Sequence, residues 1–311
     1  MTDIKNQIHL VQTPEWNEFK KKYGNTVFKF GDIFMLVKKI PFTTSYVGYA
    51  PKVNLNVQAV DFTKLNETCK KRNISFIRFD IPNILINTKE GKYWNEKLQK
   101  LAKKAPRNTF TQKNIYLDLT PDLETIVKNM HPKKRYNINY AQRRGVKVTI
   151  LQNTEGFKNF WELHRQTADR QGFLTHDRKY YSTINDVLKG DLYYIQAEVN
   201  NTPTASWVII HNDETIYYTY GGSDIRYNKF YPSDLVGFEA IKLGKRLNAK
   251  MFDMWGAEEN KGFTDFKLRY GGNLVEYIPS YDYVVNKIPY QTFNLMYGTF
   301  WKLQEIKRKI L

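Results

Sequence analysis

Cysteine is almost absent from this sequence: Cys69 is the only one in 311 residues. An internal disulfide is therefore excluded. The chain fits a reducing, cytoplasmic compartment, with Cys69 read as a small packing residue. Long apolar runs are lacking as well. No stretch approaches the length needed to span a membrane, and the N-terminal residues do not form a signal-peptide pattern. Histidines are few (His9, His131, His164, His176, His211) and scattered, without supporting cysteines or paired carboxylates. No metal site is expected from them. No serine stands in Gly-x-Ser-x-Gly and no P-loop occurs, which removes two large enzyme classes. Acids are in deficit: 31 Asp and Glu face 48 Lys and Arg, for a formal net charge of +17. Such an imbalance implies an acidic partner, whether nucleic acid, an anionic membrane surface or a nucleotide-linked substrate. The excess is concentrated, with thirteen basic and three acidic residues between Lys97 and Lys147.

Hydrophobic residues make up 41% and aromatics 15%, enough for a globular chain whose length suggests two domains. Helices and strands alternate with short loops. Thr13 and Pro14 open a helix that Gly24 stops, and Val27–Phe30 and Ile33–Val37 make a hairpin through Gly31-Asp32. A helix over 60–71 leads to a strand at 75–80, followed by a helix over 93–104 and a strand over 114–119. A second round has helices at 123–130, 133–144, 156–171 and 178–189, with a strand at 146–150. A meander follows (192–199, 205–211, 215–220), then a helix over 233–247 and a strand over 249–255. The last helix spans 290–309. An internal echo joins Lys70–Asp80 to Gly244–Asp253: a helix end, a polar turn, then a strand closing on Phe-Asp. It points to two similar α+β units.

Three segments carry candidate chemistry. The first is Gly262–Gly272, Gly-Phe-Thr-Asp-Phe-Lys-Leu-Arg-Tyr-Gly-Gly, which follows a buried strand and the loop 256–261. A lysine among aromatics and glycines at a strand end can be a cation held in a partly dry cleft, where it stabilises an oxyanion. That lysine is Lys267. The second is the basic helix from His131 to Val146, with Lys133, Lys134, Arg135, Arg143 and Arg144. Helical spacing sets Lys133, Asn137, Tyr140 and Arg144 on one stripe, suited to phosphates and stacked bases. The third is Tyr220-Gly-Gly-Ser223, where glycines permit close backbone approach, either as a substrate floor or as a tight turn beside a tyrosine-rich core.

In order along the chain, these residues and others match a known family. Gln12-Thr-Pro-Glu-Trp16 with Lys20, Tyr49-Ala-Pro-Lys52, and Lys134-Arg-Tyr-Asn-Ile138 with Ala141, Arg144 and Gly145 come first. Tyr220-Gly-Gly-Ser223, Phe252-Asp253 with Gly256, and Phe266-Lys267 with Gly271-Gly272 follow. The sequence resembles the FemABX group of tRNA-dependent peptidoglycan aminoacyltransferases. Departures are the Gly-Pro missing after Lys52 and an Asn17 where the family has a glycine. The resemblance implies an α/β (α+β) fold of two tandem GNAT-like domains with mixed central sheets and the active cleft between them. The first would be 1–112 completed by 288–311, and the second 113–287. The helices at 157–171 and 178–189 lack sustained heptads, so the resemblance is to the arm-less, FemX-like subset.

The implied reaction moves an amino acid from aminoacyl-tRNA to the side-chain amine of a stem peptide, on UDP-MurNAc-pentapeptide or on lipid II. It needs no metal and no organic cofactor. The resemblance further implies a monomeric cytoplasmic enzyme, and it leaves room for peripheral contact with the inner face of the membrane. Roles carried over are Lys20 and Arg178 on the diphosphate, with Trp16, Tyr181 and Tyr220 lining the muropeptide site. Tyr180 is the alternative to Tyr181. Asp80 is placed near the acceptor amine as proton acceptor or orienter, and Lys267 at the transition state. Lys133, Lys134, Arg135, Arg143 and Arg144 would face tRNA. Two other readings stay open. An acyl-CoA N-acyltransferase would need a glycine-rich pyrophosphate loop, and neither Pro51–Val57 nor Arg226–Pro232 contains a glycine. A non-catalytic RNA-binding protein would fit the basic segment, but it would have no use for Lys267.

Overall fold

The computed structural model describes the backbone of residues 6–310 and side chains up to residue 299. Among the described residues the chain forms two compact units, one made of 6–112 with 276–310 and the other of Lys113–Val275. Each is an α/β unit around a mixed sheet, the GNAT-like class the sequence implies.

The first unit opens with α1 (Pro14–Lys22). The Thr13 hydroxyl accepts from Trp16 N at 3.2 Å, Pro14 supplies the pre-set φ of a first turn, and three lysines end the helix where its carbonyls carry negative charge. β1 (Thr26–Phe30) and β2 (Ile33–Lys39) form the expected hairpin, register Phe30↔Ile33. β3 (Tyr46–Pro51) then lies parallel to β4 (Ile74–Asp80), with α2 (Phe62–Lys71) as the crossover. β4 is buried at every position, which fits a near-continuous apolar run. Leu65 and Cys69 of α2 and Trp94 and Leu98 of α3 (Lys89–Leu101) pack with Ile77 and Phe79. Burial there pushes the Cys69 thiol up to about 11. α3 starts four residues before the expected position because Thr88 caps it, accepting from Gly91 N. It ends early because Lys103–Lys104 form a short strand, β5.

The second unit begins with β6 (Lys113–Asp118), α4 (Leu123–Asn129), α5 (Pro132–Arg143) and β7 (Lys147–Leu151). α6 (Thr154–Gln171) and α7 (Arg178–Leu188) follow, then the meander β8 (Leu192–Val199), β9 (Thr202–Asn212) and β10 (Thr215–Ser223). α8 (Pro232–Arg246) crosses over to β11 (Met251–Ala257), parallel to β10. A short helix α9 (Gly262–Leu268) and an edge strand β12 (Asn273–Glu276) complete it, giving the sheet order β12-β6-β11-β10-β9-β8-β7.

Two further features depart from the sequence reading. Residues 262–268, read as the sequel of a strand, are helical. The chain also returns to the first unit at Glu276 rather than at 288, because β13 (Tyr281–Val284) inserts between β4 and β5. Arg78 of β4 explains that pairing: its guanidinium donates to both carboxylate oxygens of Asp282 at 2.7 and 2.8 Å, a buried bidentate pair. α10 (Lys287–Ile310) ends the described chain. The echo noted in the sequence recurs in the backbone. Asn73 (φ +54) and Asn248 (φ +56) each take the left-handed turn between the helix and the strand that carries Asp80 or Asp253.

Candidate active site

In the second unit the parallel strands β10 and β11 are in register over only three residue pairs, Thr215↔Met251 to Tyr217↔Asp253. Past that point both strands bulge. β10 slips against β9 between Tyr218 and Tyr220, and β11 slips against β6 between Asp253 and Gly256. A ladder that stops while its strands continue leaves backbone groups available to a ligand. The β11 bulge is built on Trp255, an aromatic residue at φ +66, a conformation that costs energy for any residue with a Cβ. Buried Asp253 braces it. Its Oδ1 accepts from Trp255 N at 2.7 Å, and its carboxylate accepts from Asn114 Nδ2 at 3.1 and 3.3 Å.

The bulge presents the Gly256 carbonyl to α9, where Lys267 Nζ donates to it at 2.8 Å. Thr264 Oγ1 staples the intervening loop by accepting from Glu258 N and donating to Glu258 O. Lys267 is 8% exposed, with Phe263 and Tyr218 rings 5.3 and 5.7 Å from its nitrogen. Burial draws its pKa down to about 8, and the Asp253 charge opposes the drop. The group is still an ammonium at neutral pH, poorly hydrated and held against one carbonyl. It is suited to meeting negative charge that develops on a substrate oxygen.

A second polar cluster lies on the same unit. His164 of α6 is buried and stacked on Phe160. Its Nδ1 is 2.9 Å from the Gly221 carbonyl, which can only accept, so Nδ1 carries the proton. Nε2 then accepts, and Thr175 Oγ1 (2.8 Å) and Tyr181 OH (2.9 Å) both reach it. Burial holds the imidazole below its usual pKa and so neutral. Tyr181 lies against Tyr220 at 5.0 Å, and Tyr180 OH is 3.3 Å from Tyr220 OH. The two tyrosines expected at a substrate wall therefore meet, with Tyr180 in the same cluster. Gly221-Gly222 serve close approach within a strand rather than a tight turn. A Cβ on Gly222 would sit 2.4 Å from the His164 backbone nitrogen. Arg178 starts α7 and is exposed, 5.5 Å from the Phe157 ring.

The basic helix α5 divides differently from its expected stripe. Lys133, Arg143 and Arg144 are exposed, and Arg144 donates to Tyr140 OH. Lys134 is not a phosphate contact. It is 1% exposed, paired with Asp234 at 2.7 Å, and lies over the Phe266 and Tyr270 rings at 3.6 and 3.9 Å. Arg135 is turned to the C-terminus of α4, donating to the Lys128 and Met130 carbonyls. Asn137 is buried, which breaks the stripe.

In the first unit Asp80 is fully buried, and its carboxylate already accepts from four groups. These are Tyr49 OH (2.7 Å), Ser280 Oγ (2.7 Å), Thr109 N (3.1 Å) and Phe110 N (3.0 Å). A carboxylate so engaged anchors two loops; it is not placed to take a proton from an amine, contrary to the sequence expectation. Trp16 is 5% exposed and packs edge-on against Phe19, so it builds the core under Lys20. The Lys20 nitrogen lies 4.8 and 5.5 Å from the Phe19 and Trp16 ring centroids. Burial, then Lys38, lowers its pKa to about 8.

His164, Thr175 and Asp253 had no assigned role in the sequence. For Asp253 a signal existed in the echo with Asp80; for His164 and Thr175 none did, because their partners lie at other positions of the chain. Among the described residues no group of three or more His, Cys, Asp or Glu could hold a metal, and no helix is long and apolar enough to cross a membrane.

The family model described as the FemAB family matches residues 2–202 and 192–298. Lipid II:glycine glycyltransferase of Staphylococcus haemolyticus (strain JCSC1435) is 23% identical, with 97% of this chain and 94% of that protein covered. The protein of the same name from Staphylococcus aureus (strain MRSA252) is 22% identical over the same shares. These alignments run to 399 and 401 positions, more than the 311 residues here, so the relatives carry insertions. Among solved structures, FemX superposes with a TM-score of 0.77 at 19% identity, over 93% of this chain and 96% of that one. L-PGS from Bacillus licheniformis gives 0.59 at 12% identity, over 90% and 95%.

Proposed function

The chain belongs to the FemAB family, and from that premise we propose that it is a tRNA-dependent aminoacyltransferase that builds the interpeptide bridge of peptidoglycan. The donor is aminoacyl-tRNA and the acceptor is the stem-peptide side-chain amine of lipid II or UDP-MurNAc-pentapeptide. The amine nitrogen attacks the ester carbonyl, an amide bond forms, the ester C–O bond breaks, and the ribose oxygen leaves with a proton. The observation that carries the proposal is Lys267: a buried ammonium pinned to the Gly256 carbonyl beside strands whose ladder has stopped. An activated ester needs little more than positioning and charge stabilisation. Lys20 and exposed Arg178 suit phosphate oxygens, Tyr181 and Tyr220 suit the muropeptide, and Lys133, Arg143 and Arg144 suit tRNA. Asp80 takes the role of positioning residue for Tyr49 and the 109–110 loop.

One structural observation speaks against acyl-CoA. The N-terminus of α8 follows a 3-10 turn, Ile225–Phe230, and its first turn carries Asp234. The segment before α8 is thus a 3-10 turn without a glycine, not the glycine-rich loop that wraps a pyrophosphate in backbone N–H groups. The test is incubation with each acceptor and a mixed pool of charged tRNAs, read by mass. A gain of one amino-acid residue identifies donor and acceptor together. No gain with either acceptor would defeat the proposal.

A further inference from the structure

At one end of the first unit's sheet three chain segments come together. The turn between β2 and β3 is tied to the turn between α2 and β4 by Asn73. Its Nδ2 donates to Thr44 O at 2.8 Å, and its carbonyl accepts from Tyr46 N at 2.9 Å. The start of β4 holds the end of β13: Ser75 O accepts from Val285 N and Asn286 N at 2.9 Å each, just before α10 begins. Beneath these turns Ile40, Val47, Phe76 and Tyr290 form one apolar cluster. Residues 38–46, 70–75 and 284–291 therefore share one end of the sheet.

This end has an unusual surface. Phe42 is 95% exposed at φ +59, and Ile288 at the start of α10 is 76% exposed. Pro41 is exposed as well. An aromatic residue in the left-handed region, with almost no contact to its own fold, gains nothing for stability. Around these apolar tips stand Lys38, Lys39, Lys70, Lys71, Arg72 and Lys287, all exposed, and the three segments contain no acidic residue.

We propose that this end of the sheet docks on an anionic lipid bilayer. Phe42 and Ile288 enter the boundary between headgroups and acyl chains, and the six cations face lipid phosphates. Charge complementarity names the partner, and the apolar tips distinguish it from nucleic acid. Ile288 and Pro41 have no aromatic ring to stack on a base and gain nothing beside a phosphodiester, whereas both gain in an acyl boundary. The proposal stands apart from the transfer reaction, since docking is read without donor or acceptor.

The experiment uses the full chain and extruded vesicles of phosphatidylcholine alone or mixed with phosphatidylglycerol, read by co-sedimentation. Binding is expected to the mixed vesicles only and to weaken with salt. Lys38→Gln with Lys39→Gln should weaken it by about fivefold per charge removed. Phe42→Ser with Ile288→Ser should weaken it at least tenfold, with thermal stability unchanged, because neither side chain packs on the fold. A depth readout complements this. Cys69 is buried, so Phe42→Cys can carry a single environment-sensitive fluorophore, whose emission should shift to the blue on mixed vesicles. Equal binding to both vesicle types, full binding by the Phe42/Ile288 double variant, or no blue shift would overturn the proposal. So would an outcome in which the lysine variant loses binding to transfer RNA while no vesicle binds, which would make this a nucleic-acid face.

Discussion

Lys267 and Lys134 are both buried lysines among aromatics, and burial lowers the pKa of both, yet their surroundings give them opposite uses. Lys134 is paired with a carboxylate and is spent on the fold; Lys267 donates to a carbonyl, and the Asp253 charge offsets its burial only in part. Two consequences follow for Lys267. Its charge is lost as pH rises through about 8, so kcat should fall on the alkaline side, and Lys267→Met should remove that limb while lowering kcat by about 100-fold or more. The same variant should be more stable. A lysine whose pKa drops from 10.5 to about 8 on folding is charged in both states at neutral pH, so the penalty is then in full force. It is relieved only as pH climbs from about 8 towards 10.5. Chemical denaturation at pH 7 should show Lys267→Met more stable by ~2–3 kcal/mol, the gap closing by pH 10. A less stable variant would mean that the bond to the Gly256 carbonyl outweighs the burial penalty. Asp80 gives the converse test. Asp80→Asn puts an amide against four donors and should cost ~2–4 kcal/mol in denaturation; unchanged stability with lost rate would restore Asp80 as a base. The sequence revealed Lys267 through its glycine and aromatic neighbours. It could not separate Lys134 from its exposed neighbours, because Asp234 lies 100 positions away.

Most elements were legible because their signals are local. Thr13-Pro14 starts α1, the echo ending in Asp80 and Asp253 marks two strands, and the periodicity of 192–220 marks a meander. The misses have physical reasons. α9 is seven residues long with no side-chain cap, too short for helical periodicity to register. β13 is four residues, and its place depends on the Arg78–Asp282 pair across the sheet. In α5 the tight seat against α8 is set by Ile138, Ala141 and buried Lys134, so the charge pattern alone misassigned its faces. A prediction at this scale concerns α6 on β10. Gly222 lets the helix backbone approach so closely that a Cβ would meet His164 N, Leu163 C and Leu163 O at 2.4, 2.4 and 2.5 Å. Backbone atoms cannot step aside, so Gly222→Ala should cost at least ~2 kcal/mol and loosen the His164–Tyr181 cluster. Gly190, with open space around its missing Cβ, is the control. Equal stability of the two variants would show that α6 has room to move.

The covalent order of the whole molecule makes the first unit depend on a segment that returns to it only after the second unit. Residues 113–275 are contiguous and hold every strand of the second sheet but the last residue of β12. The first sheet is discontinuous: β13 arrives from beyond residue 275 and lies between β4 and β5. A fragment ending at Gln112 would lose Asp282, leaving Arg78 charged and buried without its partner, and would lose the Ser280 hydroxyl from Asp80. Breaking a buried pair in this way costs ~3–5 kcal/mol, a large share of any small domain's stability. The central strand β4 would also become an edge. The expectation is asymmetric. Residues 113–275 expressed alone should unfold cooperatively and give dispersed amide spectra, whereas 1–112 alone should be disordered or aggregate. Joining 276–311 to 1–112 through a flexible linker in place of the second unit should restore folding, and Asp282→Ala in that fusion should abolish it again. Cooperative unfolding of 1–112 by itself would show that β13 covers a sheet already complete, and that the Arg78–Asp282 pair contributes little to holding it.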